Sequence, residues 1–265
     1  MLSAILMLAL SQDTVAWLHQ SDQVYETADR ERKLVLIMEP CSDSEIAAKE
    51  ESFFDDPKVV KATGRFVCTK RLRMASTPYG TDQLPGGTLR FLDKDRNVRG
   101  LAYAPMDPDL FAKWCEGVDA AWRKHDSLVF RSKGRLTYED SARLAFSYAL
   151  RGQTDQASTL LASIPVGRRV DESEFALMAL ALAYATAKND ADATTTWLKL
   201  ESMTRSPVLQ SAARTGAATN MVIKRPKEAF VKFKVVSASN DSPATDKWWA
   251  DLNLKRLKEA GIDGG

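Results

Sequence analysis

Apolar residues follow two rhythms along this chain. Before about residue 125 they come as short runs separated by helical stripes, and beyond residue 137 only the helical rhythm remains. The run 34–38 is apolar throughout and is bounded by charge on one side and proline on the other. That pattern predicts a central strand buried on both faces. Residues 17–32 place Trp17, Val24 and Ala28 roughly on one side and predict an amphipathic helix. After Pro40-Cys41 the pattern turns helical through Glu51, and Asp56-Pro57 opens another short helix. Residues 65–72 predict a second strand. The runs 88–92 and 98–103 flank a polar stretch, 93–97, that reads as a hairpin loop. Asp107 and Pro108 supply a cap and a first-turn proline. Leu110, Trp114, Val118 and Trp122 then follow at four-residue steps, so this helix lays one stripe on the sheet. The order predicts a small mixed sheet with helices on both faces.

The second rhythm repeats. Ala145, Tyr148, Ala157, Leu161 and Ile164 recur 36 residues later as Ala181, Tyr184, Ala193, Trp197 and Leu200. After another 36 residues come Ala217, Asn220, Ala229, Phe233 and Val236. Small residues let two antiparallel helices approach, and large ones fill the space between them. Each hairpin leaves an apolar face that only its neighbour can cover. Thr137 with Asp140, and Asp171 with Glu174, look like capped starts. Gly152, Asn189-Asp190 and Arg225-Pro226 fall at turns. These signals predict helix pairs at 137–164, 172–203 and 207–238, and a terminal capping helix over 244–260 that carries Trp248, Trp249, Leu252 and Leu257. Residues 126–136 lack helical periodicity and are expected to link the two halves, 12–125 and 137–265. A generic helical bundle is the alternative to a repeat.

Composition narrows the function more by exclusion than by assignment. With 45% hydrophobic residues the chain can bury a core, and a net charge of +2, evenly spread, marks no nucleic-acid surface. His19 and His125 and three distant cysteines offer no zinc-ligand spacing, so no metal is expected. There is no P-loop and no serine elbow, and no cofactor is expected. The apolar run 1–10 is too short to span a bilayer. Its end at Ala9-Leu10-Ser11 fits a signal peptidase site, predicting a signal peptide over 1–11 and an exported, periplasmic or extracytoplasmic protein. No basic residue precedes that run, so a cytoplasmic protein with an apolar N-terminus is the alternative.

The first half resembles the thioredoxin-like family. The resemblance covers 17–124 and rests on a tryptophan-led helix, the strand 34–38 running into Cys41, the segment Phe53-Phe54-Asp55-Asp56-Pro57-Lys58-Val59, Phe66-Val67, and the strand beginning at Thr88-Leu89. It implies an α/β fold with a thiol site where the first strand meets a helix N-terminus. In redox-active members that site is Cys-x-x-Cys, and helix dipole and amide donors stabilise the first thiolate. Here the run is Cys41-Ser42-Asp43-Ser44, with Ser44 at the position of the resolving thiol. Dithiol exchange is therefore excluded. Asp43 and Glu45 also oppose a thiolate at Cys41. The family's cis-proline aligns with Gly87, with Pro85 two residues earlier. Cys68 and Cys115 fall at core positions.

The small-aromatic-glycine-small spacing of 145–161 is similar to a tetratricopeptide repeat. In that family the first helix of each pair lines a concave groove. By repeat position, the resemblance places Glu139, Ala142, Phe146 and Ala149 there, then Phe175, Met178, Leu182 and Ala185, then Ser211, Arg214, Ala218 and Met221. Phe146, Phe175, Met178, Leu182 and Met221 are the candidate contacts for a protein or peptide partner. The other reading fills the groove from within the chain. Two functions follow: a non-catalytic interaction or scaffold protein with a redox-inert thioredoxin-like domain, or a monothiol exchange enzyme or isomerase-like protein using Cys41.

Overall fold

The computed structural model describes residues 14–19, 21–41, 43–71, 84–168 and 171–263, so the predicted signal peptide lies outside the described residues. The first half comprises β1 (Trp17–Leu18), α1 (Asp22–Glu31), β2 (Val35–Glu39), α2 (Ser44–Phe53), α3 (Pro57–Thr63), β3 (Val67–Lys70), β4 (Gly87–Leu92), β5 (Val98–Ala104) and α4 (Pro108–Arg131). The five strands form one mixed sheet in the order β1-β3-β2-β4-β5. β1 and β2 run parallel to β3, whereas β4 pairs antiparallel with both β2 and β5.

β2 is buried on both faces, as its apolar run requires. Leu36 and Met38 point into the large core with α2, α3 and α4, while Val35 and Ile37 meet Val24 and Ala28 of α1 on the other side. Each helix start carries its own signal. Asp56 accepts from Lys58 N and Val59 N ahead of Pro57, and Asp107 accepts from Leu110 N ahead of Pro108. Between β4 and β5, Asp93 accepts from the amides of Asp95 and Asn97 and pairs with Arg99, which shapes the hairpin.

Two expectations need correction. Trp17 does not lead a helix: it sits in β1 opposite Cys68, and the helix starts at Asp22. Its ring packs edge-on against Phe54 at 4.9 Å, and that tertiary contact outweighs the local helical spacing. The expected linker 126–136 is irregular only from 132 onward, because α4 continues through Arg131. Leu128 is buried, His125 Nδ1 lies 2.9 Å from Ser147 Oγ, and Arg131 pairs with Asp140. Phe130 points to solvent and breaks the apolar stripe, so the helix is held by its neighbour rather than by its own periodicity.

The second half is helical: α5 (Tyr138–Leu150), α6 (Thr154–Ser163), α7 (Asp171–Thr186), α8 (Asp190–Met203), α9 (Pro207–Met221), α10 (Pro226–Ala238) and α11 (Ala244–Glu259). These helices follow the three pairs and terminal helix expected from the 36-residue spacing. Thr137 Oγ1 caps α5 by accepting from Asp140 N at 3.1 Å, and Gly152 takes φ +73° at the α5–α6 turn. Small and large residues interlock between neighbouring pairs. A Cβ on Gly216 would stand 2.5 Å from the buried Trp197 ring. The two halves share one apolar core, and α5 and α7 pack against β5, the last strand of the sheet.

Candidate functional site

Cys41 lies two residues after the end of β2, and α2 begins three residues later at Ser44. The sequence pairs these two residues as a thiol and its missing partner, and the structure gives them different surroundings: Cys41 is buried, whereas Ser44 is exposed. The N-terminus of α2 is taken by its own cap. Asp43 accepts hydrogen bonds from the amides of Glu45 and Ile46, and its other oxygen receives Arg256 Nη2 at 2.6 Å. The dipole at this helix end therefore faces a paired carboxylate rather than a sulfur.

A second carboxylate lies beneath the first. Glu50 is fully buried, and the amide of Cys41 donates to both its oxygens at 3.2 and 3.1 Å. The spacing that carries it inward is visible in α2, because Glu50 lies four residues after Ile46 and three before Phe53, both buried. Gly87 meets the same group: a Cβ there would stand 2.5 Å from Glu50 Oε1 and 3.0 Å from the carbonyl oxygen of Glu39. Cys41 and Gly87 thus converge on one buried carboxylate. The cis peptide of this region is Ala104-Pro105, at the end of β5; the peptide before Pro85 is not cis. Gly86, at φ +119°, packs so closely on Ala104 that a Cβ would stand 1.9 Å from its carbonyl oxygen.

Gly87→Ala is expected to lower stability by about 1–3 kcal/mol. The methyl group must push Glu50 away from the Cys41 amide or move the β2 backbone at Glu39. Thermal unfolding of the purified variant checks this, and an unchanged midpoint would mean that Glu50 moves aside at no cost.

The other two cysteines are core residues. Burial pushes the Cys68 thiol up to about 12 and the Cys115 thiol well above its ordinary value, so neither forms a thiolate near neutral pH. No disulfide joins Cys41, Cys68 and Cys115.

The candidate groove residues do not form an open surface. Phe146, Met178, Leu182 and Met221 are buried, and Phe175 is half-buried. The first half of the chain supplies the filling. Trp114 of α4 meets Phe146 edge-on at 5.3 Å and Phe175 at 6.1 Å, while its Nε1 donates to the carbonyl of Leu101 on β5 at 2.9 Å. Of the two readings of the groove, the one that fills it from within the chain fits these contacts: α4 and β5 cover much of it. A cleft of about 340 Å³ remains between α4, α5 and α7, floored by Gly117, Ala121, Leu128, Phe146 and Phe175.

Two site residues were missed in the sequence. Glu50 was signalled by a carboxylate on the apolar side of α2; Arg256 lies 213 residues from Asp43 and had no local signal. Among the described residues no cluster of His, Cys, Asp and Glu could hold a metal ion, and no helix is long and apolar enough to cross a membrane. No family model, no curated protein and no solved structure matches this chain.

Proposed function

We propose that this is a non-catalytic interaction or scaffold protein, in which a redox-inert thioredoxin-like half is fused to tetratricopeptide-like helical pairs. The thioredoxin-like reading is supported by the strand order β1-β3-β2-β4-β5, with a parallel β1-β3-β2 set and an antiparallel β4-β5 hairpin. The repeat reading is supported by three successive helix pairs at the 36-residue spacing. The observation that carries the absence of redox chemistry is the occupation of the Cys41 site by carboxylates. Glu50 takes the amide that would face a thiolate, and Asp43 with Arg256 takes the helix N-terminus. The cleft lined by Phe146 and Phe175 is the surface left for a partner.

Alkylation of the native chain, resolved by cysteine with mass spectrometry, tests the inert thiol. Cys41 should react at neutral pH at least about tenfold more slowly than in the urea-unfolded chain. Full-length protein should also fail to turn over a glutathionylated peptide with excess glutathione. Turnover that disappears in Cys41→Ser would overturn the proposal in favour of a monothiol exchange enzyme.

A further inference from the structure

The last helix carries an enclosed carboxylate that no cation among the described residues pairs with. Asp246, in the first turn of α11, is buried, and its Oδ2 has no hydrogen-bond partner. The titratable groups facing it are Tyr103 on β5, whose hydroxyl is likewise buried without a partner, and Asp107 at the N-cap of α4. α9 presents the hydroxyl of Ser211, which favours the ionised form and acts against the burial. An enclosed carboxylate beside a second carboxylate is tolerated when neutral and strongly opposed when ionised. Burial and Asp107 accordingly push its pKa up to about 7.

The same helix ties down the Cys41 site. Ten residues after Asp246, Arg256 pairs with Asp43 at the N-terminus of α2, with both side chains partly buried. α11 otherwise packs chiefly against α9 and α10, at the end of the stack. Trp249 Nε1 donates to Thr219 Oγ1 at 3.0 Å, and Asn253 donates back to the Trp249 carbonyl. α11 adds Trp249, Ala250, Leu252 and Leu257 to one end of the shared core, and a terminal element of this kind can open locally while the rest of the fold stays formed.

We propose that α11 is a proton-controlled strap: with Asp246 neutral it lies docked across the α2 N-terminus through Arg256 and Asp43, and ionisation of Asp246 releases it. A proton is the only ligand required. Its loss creates an unpaired enclosed charge, which is relieved by moving α11 into water. Release exposes the end of α2 beside Cys41.

Hydrogen exchange of the full chain, read by mass spectrometry at about pH 5.5 and about pH 8.5 and corrected for intrinsic exchange, tests this. In the wild type, α11 should lose about tenfold or more in protection relative to α7 between the two conditions. In Asp246→Asn it should keep that protection. Arg256→Gln should lower α11 protection at both. Equal protection of α11 at both pH values in the wild type would overturn the strap. So would a loss spread evenly over α7, α9 and β2, which would mark Asp246 as a burden on the whole fold. The wild-type comparison stands even if a variant fails to fold.

Discussion

Trp114→Ala is expected to destabilise the entire protein by about 3–5 kcal/mol, in a single unfolding transition. Trp114 is fully buried and touches both β5 of the sheet and Phe146 and Phe175 of the helical pairs. It loses three things at once: the hydrogen bond from Nε1 to Leu101, the edge-on contact with Phe146, and the packing on Phe175. The cavity opens in the core shared by both halves, where neighbouring rings are held by their own backbones and cannot collapse inward. Guanidinium unfolding followed by far-ultraviolet circular dichroism reads the loss. A cost under about 1 kcal/mol, or two separated transitions with only one of them shifted, would show that the halves do not share their stability.

Asp246→Asn should raise stability, and only on the alkaline side. The folded-state pKa of Asp246 is pushed from 3.8 up to about 7, so the native state holds this proton more tightly than the unfolded chain. Stability from that proton is fully present below about pH 4, falls as pH rises, and is gone above about pH 7. At about 1.36 kcal/mol per pH unit the loss approaches 4 kcal/mol, less whatever α11 recovers by lifting away. The variant should match the wild type near pH 4 and exceed it by up to that amount near pH 8. Denaturant titrations across that range give the curve; a difference independent of pH would mean that Asp246 is not held neutral.

The elements that were legible in the sequence are those with local causes. The run 34–38 can only be a doubly buried strand, and Asp56-Pro57 and Asp107-Pro108 fix two helix starts without help from elsewhere. The helix pairs were legible because one spacing served three times, and each copy constrained the others. Trp17 misled because a single aromatic contact with Phe54 decides its conformation, and sequence periodicity does not record that contact. The stretch 126–131 misled because its helix is sustained by Ser147 and Asp140 of the following helix. At the candidate site the absent second thiol was plain in the sequence. Its replacements were not: Glu50 reaches Cys41 only after α2 folds, and Arg256 reaches Asp43 only after everything between them has packed.

The length of α4 has one more implication. Its 24 residues make a rod of about 36 Å that begins beside the sheet and ends against the first turn of α5 without a break. A hinge needs a place where backbone dihedrals can change, and an unbroken helix sunk in a common interior offers none. The two halves should therefore tumble as one body, and their separation in small-angle scattering should stay fixed whether or not the remaining cleft is filled.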